Sequence, residues 1–185
     1  MRIRIVTALA VGHNYPMNTG THPSGKVASL HLHPKVAGTP LTTVDSIELV
    51  ENAGIRGEPR YFGKKSSSTG KPSRRQVTLI ERAVLAAHAN TLRLPGIAPG
   101  VARSNIETEG VDLVPWLGQL VRVGEAVVRF YEPRTPCEKM DQIAPGLRHL
   151  MGNSCQGVLA EVVVSGRVQV GDTIQLADQS ETKAT

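Results

Sequence analysis

The sequence predicts a mainly β fold, a barrel of short strands carrying a few short helices. Three observations support this. Aromatic residues make up only 3% of the 185, so the core has to be aliphatic, and it is rich in Val. β-branched side chains suit the half-buried, pleated surface of a sheet. Gly (18) and Pro (12) are frequent enough to break the chain into short elements. The second half then alternates apolar runs with turn residues, the pattern of a β-barrel segment.

Taken in order, Arg2–Val11 reads as a strand, and residues 12–25 as a turn-rich loop. Lys26–His33 alternates, with Leu30 and Leu32 inward and His31 and His33 together on the other face. Val44–Glu51 is the next strand, closed by Asn52-Ala53-Gly54. Residues 57–75 form a long basic loop with Arg60, Lys64, Lys65, Lys71, Arg74 and Arg75. A loop of this length is functional or mobile; a solvated, flexible loop is the plainer alternative. Thr78-Leu79-Ile80-Glu81 has the form of a capping box, opening a helix with Ile80, Val84 and Ala87 on one face, Leu85 beside them, and an end near Asn90. Strands follow at Val101–Thr108, Gln119–Val123, Ala126–Tyr131, Val158–Ser165, Val168–Val170 and Thr173–Leu176, with Gly166 as a turn. Two short helices are expected near Glu138–Ile143 and Gly146–Met151. Residues 178–185 are a polar tail, and the whole reads as one domain over 1–185.

Composition narrows the class. The formal charge of +5 accommodates an anionic ligand without implying nucleic acid, and so few aromatics leave little to stack bases on. No apolar run reaches the roughly 18 residues of a membrane span. The opening MRIRIVTALAVG continues without a cleavage pattern, so a signal peptide is not expected. Two cysteines, Cys137 and Cys155, make no disulfide framework, which fits a reducing, cytoplasmic setting.

Cys137 is the first candidate for chemistry. It ends Pro133-Arg134-Thr135-Pro136-Cys137, directly after a strong strand, where two prolines stiffen the path. Arg134 lies three residues upstream, and a nearby cation favours thiolate, the nucleophilic and soft-metal-binding form. An inert buried cysteine is the alternative reading. Arg103-Ser104-Asn105 pairs a phosphate-gripping guanidinium with a carboxamide able to read a heterocycle edge. A surface ion pair and a turn residue would account for the same triplet. Arg74 and Arg75 precede the expected helix and suggest an anion site. The histidines do not add up to a zinc site, which needs three or four ligands.

The ordered segments Arg74-Arg75-Gln76-Val77-Thr78-Leu79-Ile80-Glu81, Arg103-Ser104-Asn105-Ile106, Gly110-Val111-Asp112-Leu113, Gly118-Gln119-Leu120, Gly124-Glu125-Ala126, Pro133–Cys137 and Gly157–Asp172 resemble the MOSC domain. That module occurs at the C-terminus of molybdenum cofactor sulfurases, in amidoxime-reducing proteins and as stand-alone bacterial proteins. The resemblance spans about residues 25–177. It implies a barrel similar to the β-barrel domain of pyruvate kinase, and a bound molybdenum cofactor (molybdopterin). By the same resemblance Cys137 is the molybdenum ligand, while Arg103, Ser104 and Asn105 hold the cofactor, joined by Arg74, Arg75 and Arg134. Asp141 matches an acid that follows the cysteine in the amidoxime-reducing members.

The implied activity is reduction of N-hydroxylated compounds, or related sulfur and oxygen chemistry at molybdenum, on a small-molecule substrate. Electrons would come from a separate donor protein. The alternative is a non-catalytic cofactor-binding or persulfide-carrying module. Pyridoxal phosphate is not expected, because the chain has no room for the domain that binds it in the sulfurases. The pattern departs in one place: where family members often carry Gly-Asp followed by Arg or Lys and His, this chain reads Gly57-Glu58-Pro59-Arg60-Tyr61.

Overall fold

A computed structural model describes residues 23–178. The Arg2–Val11 strand, most of the loop after it and nearly all of the polar tail lie outside the described residues. The elements are β1 (Ser24–Leu32), β2 (Thr42–Val44), β3 (Ser46–Val50), β4 (Gly54–Ile55), β5 (Val77–Glu81), α1 (Arg82–Thr91) and β6 (Ile106–Glu109). After the 3-10 turn Val114–Trp116 come β7 (Leu120–Val123), β8 (Ala126–Pro133), α2 (Lys139–Ile143), α3 (Leu147–Leu150), β9 (Val158–Val164), β10 (Gly166–Gln169) and β11 (Thr173–Leu176).

Seven strands close into a barrel in the order β1-β11-β7-β8-β9-β5-β6, with β6 pairing back onto β1. Closure leaves no open edge in that ring. The β5–β6 pair is parallel, and the helix α1 lies in the crossover between them. β2 continues the sheet beyond β1, and β10-β3-β4 form a small separate sheet. The inside is aliphatic, as the composition requires: Leu30, Leu79, Ile106, Val121, Val128, Val158, Val162 and Ile174 are buried around Phe130. A second cluster holds α1, α2 and α3 against the outside of β5 through Ile80, Leu85, Ala89, Met140, Leu147 and Met151.

Three sequence expectations are corrected here. The capping box does not form. Residues Val77–Glu81 are a strand buried at every position, because Val77 and Leu79 face the barrel while Ile80 faces the helical layer. Thr78 bonds Asn105 instead of a helix amide, and Glu81 accepts from the Leu113 amide. The helix therefore starts at Arg82 and buries Leu85, His88 and Ala89 rather than an Ile80–Val84–Ala87 face. The expected Val101–Thr108 strand begins only at Ile106, since the chain turns through Arg103 at φ 60°. Gly166 opens β10 rather than standing as a separate turn.

In β1, a bulge between Val27 and Ser29 shifts the register against β6. Such a bulge resets which face a side chain takes. Val27 and Leu30 both reach the barrel core, and Leu32 packs against it. Ser29, His31 and His33 are buried on the other side.

Gly157 fixes the approach of the Pro–Cys segment to the barrel. It has φ 82°, and a Cβ there would fall 1.9 Å from the Leu79 carbonyl oxygen. Its own carbonyl accepts from the Arg134 amide at 2.9 Å. Gly157→Ala is expected to destabilise the fold by about 3 kcal/mol or more, since both conformation and space exclude a methyl group. Urea denaturation checks this; a midpoint equal to that of wild type would refute it.

Candidate functional site

The chain leaves β8 at Pro133, and the Cys137 carbonyl then accepts from the Met140 amide at 3.0 Å as α2 begins. This holds the Cys137 thiol outward, where it is exposed. It stands at a cleft of about 280 Å³. Five cations line the cleft: Arg60 and Arg75 from the basic loop, Arg103 from the turn before β6, Arg134, and Lys139 on α2. His33, Tyr61, Thr135, Met140 and Gln156 complete the lining, and it contains no carboxylate.

Arg134 shows what this costs. It is 8% exposed and meets only neutral acceptors: the Ser104 hydroxyl, the Arg103 carbonyl at 3.2 Å and the Gln156 carbonyl at 3.5 Å. Burial lowers its pKa to about 10, with the Arg75 charge adding to the effect. The guanidinium stays charged at neutral pH. A cation whose pKa falls on folding loses protons to the unfolded state, so below pH 10 the fold carries a penalty of roughly 3 kcal/mol. A bound anion would remove it.

Two residues of the cleft lining also carry a buried polar atom without a partner. Arg103 donates from Nη1 to the Thr39 carbonyl at 2.9 Å, but its Nη2 is buried and unbonded. The Gln156 Oε1 is likewise buried and unbonded. An unpaired buried donor and an unpaired buried acceptor set this wall apart, since buried polar groups are normally bonded. Inorganic phosphate or molybdate is therefore expected to raise the Tm of the wild type by a few degrees, and Arg103→Gln to lose much of that gain. Scanning fluorimetry reads both, and an equal response in the two proteins would refute the assignment.

The remaining residues singled out in the sequence lie at various distances from this cleft. Ser104 is fully buried and supports Arg134 from behind. Asn105, 2% exposed, is a bracket between elements. Its Oδ1 accepts from the Thr78 amide at 3.1 Å and hydroxyl at 2.9 Å. Its Nδ2 lies 2.8 Å from Glu58 Oε2 and 3.1 Å from the His31 carbonyl. The carboxamide that lines the cleft is Gln156. Arg75 lines it too, but Arg74 turns away to pair with Glu161 at 2.9 Å and cover Tyr131. Asp141 accepts from the Gly146 and Arg148 amides, each at 3.1 Å, and lines the neighbouring cleft beyond Pro136. Cys155 lines a more apolar cleft with Val84 and Val111, apart from Cys137.

Arg60, Tyr61, Lys139, Gln156 and His33 were not among the candidates named from sequence. The basic loop carried the only available signal for the first two. In the structure that loop is a series of turns, closed by a bridge between Lys65 and Pro72 and tied to Ala53 through the Gly63 amide. Arg60, Lys64 and Arg75 all lie within 6 Å of the Tyr61 ring centre, so this one aromatic gathers three of the cations.

The MOSC domain model matches residues 36–175. This chain belongs to the MOSC family. Solved structures agree on the fold. The YuaD protein from Bacillus subtilis superposes with a TM-score of 0.70 at 19% identity, covering 84% of this chain and 97% of the other. YiiM from Escherichia coli gives 0.57 at 20% identity, over 85% of this chain and 70% of its own. YiiM from Geobacillus stearothermophilus gives 0.60 at 16% identity, over 84% and 76%. No curated protein matches the sequence. The family is generally associated with the molybdenum cofactor, and the residues of this MOSC cleft fit such a group: an exposed soft sulfur, cations without carboxylates, and one open donor and one open acceptor.

Proposed function

We propose that this MOSC protein binds the molybdenum cofactor in the Cys137 cleft and reduces N-hydroxylated small molecules there. The observation that carries the reading is an exposed thiol at a cleft with five cations and no carboxylate in its lining. The bound cofactor supplies two-electron redox chemistry at molybdenum, with Cys137 as protein ligand. Arg75, Arg103 and Arg134 hold its anionic groups, and Lys139 adds charge from α2. Gln156 offers the open acceptor for a ring N–H. Ser104 and Asn105 act behind this wall, fixing Arg134 and the backbone before β6. Arg74 and Asp141 contribute at one remove, by anchoring the entry to β5 and the turn into α3.

Among the described residues, no group of three or more His, Cys, Asp or Glu is placed to hold a metal ion. Electrons are assigned to a separate carrier protein. Among the described residues no helix is long and apolar enough to cross a membrane. Protein produced in a host that makes the cofactor tests the proposal. Molybdenum and pterin are expected in the purified wild type, together with reduction of an N-hydroxyamidine by reduced viologen. Protein lacking molybdenum and pterin would overturn it. A persulfide carrier uses the same exposed sulfur, and would show instead as a Cys137 adduct of one sulfur atom by mass spectrometry.

A further inference from the structure

Among the described residues four large apolar side chains are exposed: Val36, Phe62, Val101 and Val170. Three of them stand on segments that line the Cys137 cleft. Val36 lies shortly after His33, Phe62 directly after Tyr61, and Val101 shortly before Arg103. These segments are tied to one another. The Arg103 guanidinium donates to the Thr39 carbonyl at 2.9 Å, and the Thr39 hydroxyl donates to the Val36 carbonyl at 2.9 Å. The Tyr61 ring meets the His33 imidazole edge-on, with centroids 5.2 Å apart. The same segments are basic. Residues 33–40 carry Lys35, residues 98–104 carry Arg103, and residues 57–75 carry the cations of the basic loop; their one carboxylate, Glu58, is buried. Lys35, Lys65 and Lys71 are exposed and make no ion pair among the described residues. The exposed acids Glu138 and Asp141 belong to another segment, at the start of α2.

We propose that this mouth of the cleft is the docking surface for an acidic electron-carrier protein. That the partner carries electrons rests on the reductase reading above. Specific interfaces set a few apolar anchors inside a charged rim, and a basic rim steers and selects an acidic partner. Phe62, Val36 and Val101 supply the anchors, and the lysines supply the rim. A carrier seated there stands over the cleft where electrons are consumed. Each turnover takes two electrons from the carrier, singly or as a pair, and two protons from solvent. R–NH–OH then becomes R–NH2 and water: the N–O bond breaks, and one N–H and one O–H bond form. Nucleic acid fits the surface less well, because bases stack on aromatic platforms and Phe62 is the only exposed Phe, Tyr or Trp among the described residues. A lipid surface is met by an amphipathic helix lying flat; here the apolar side chains come from separate loops around a cleft.

Cofactor-free protein and an acidic flavodoxin test the surface at low ionic strength. In 15N-labelled protein, amide shifts on adding flavodoxin are expected to concentrate in residues 34–40, 60–71 and 98–103 and to fade as salt rises. Lys65→Glu/Lys71→Glu and, separately, Phe62→Ser are each expected to weaken binding about tenfold. Lys26→Glu, towards the other end of β1, is expected to change it by about twofold at most. Absent shifts, shifts centred elsewhere, or an equal response in every variant would overturn the proposal. So would tighter binding to a single-stranded oligonucleotide or to phosphatidylserine vesicles under the same conditions. In loaded protein, Lys65→Glu/Lys71→Glu is expected to keep viologen-driven reduction while kcat/KM for reduced flavodoxin falls about tenfold; an unchanged kcat/KM overturns the docking. Failure of the reductase reading has a different signature, a wild type without molybdenum and inactive with viologen, and the flavodoxin shifts still decide the surface in that case.

Discussion

Cys137→Ala is expected to keep the stability of the wild type and to lose its molybdenum. The side chain is exposed and belongs to neither hydrophobic cluster, so its truncation falls among surface changes worth within about 0.5 kcal/mol. The loss of function is of another size. Residues that merely support a metal ligand cost roughly 10–100-fold in affinity or activity when replaced, and removal of the ligand itself exceeds that. Metal analysis and a thermal melt on the same preparation check both halves. Full molybdenum content with unchanged reduction would contradict the role given to this sulfur.

Asn105→Leu is expected to do the reverse, unfolding the site from behind. Replacing the carboxamide strands the Thr78 amide, one oxygen of buried Glu58 and the His31 carbonyl, and leaves the Thr78 hydroxyl hydrogen without its acceptor. Each is buried, one is charged, and leaving such groups unpaired costs about 1–3 kcal/mol apiece before relaxation. A total loss of about 3–5 kcal/mol is expected, among the largest that single substitutions give. Urea denaturation measures it, and a change below about 1 kcal/mol would show that Asn105 is no bracket. The pair separates two kinds of residue that the sequence places in one category: Cys137, exposed at the cleft, is proposed to meet the ligand, and Asn105 holds together the wall behind it.

Much of the barrel is legible in the sequence because β7, β8, β9 and β11 are apolar runs with a glycine close before their start, the local pattern of strands set off by turns. β5 is not. Its five buried residues face two different cores, and no periodicity reports that; Thr78 and Glu81 imitate a helix cap while serving tertiary partners. The bulge in β1 is equally silent, because Val27 and Leu30 reach one core only through a register shift. Within the site, Cys137 is legible from its prolines and from the family resemblance. Arg74 and Arg75 look equivalent as neighbours. The chain bends at Arg74, whose carbonyl accepts from the Gln76 amide at 2.9 Å, and only Arg75 reaches the cleft. Gln156 and Lys139 have no local signal, and His33 shows in the sequence only as a strand-face neighbour of His31; each acquires its place in the cleft from elements far away in the chain.

The departure at Gly57-Glu58-Pro59-Arg60-Tyr61 also gains a physical content. Glu58 is drawn inward to Asn105 and His33, Arg60 lines the cleft, and Tyr61 stands between the imidazole and three cations. The basic loop is therefore part of the cleft wall rather than an appendage of the barrel.

The central claim is that the Cys137 sulfur binds the metal. X-ray absorption at the molybdenum edge tests it most directly, comparing wild type with Cys137→Ser. The account predicts one more sulfur scatterer per molybdenum in the wild type than in the variant. Identical sulfur shells in molybdenum-loaded samples of both would contradict it.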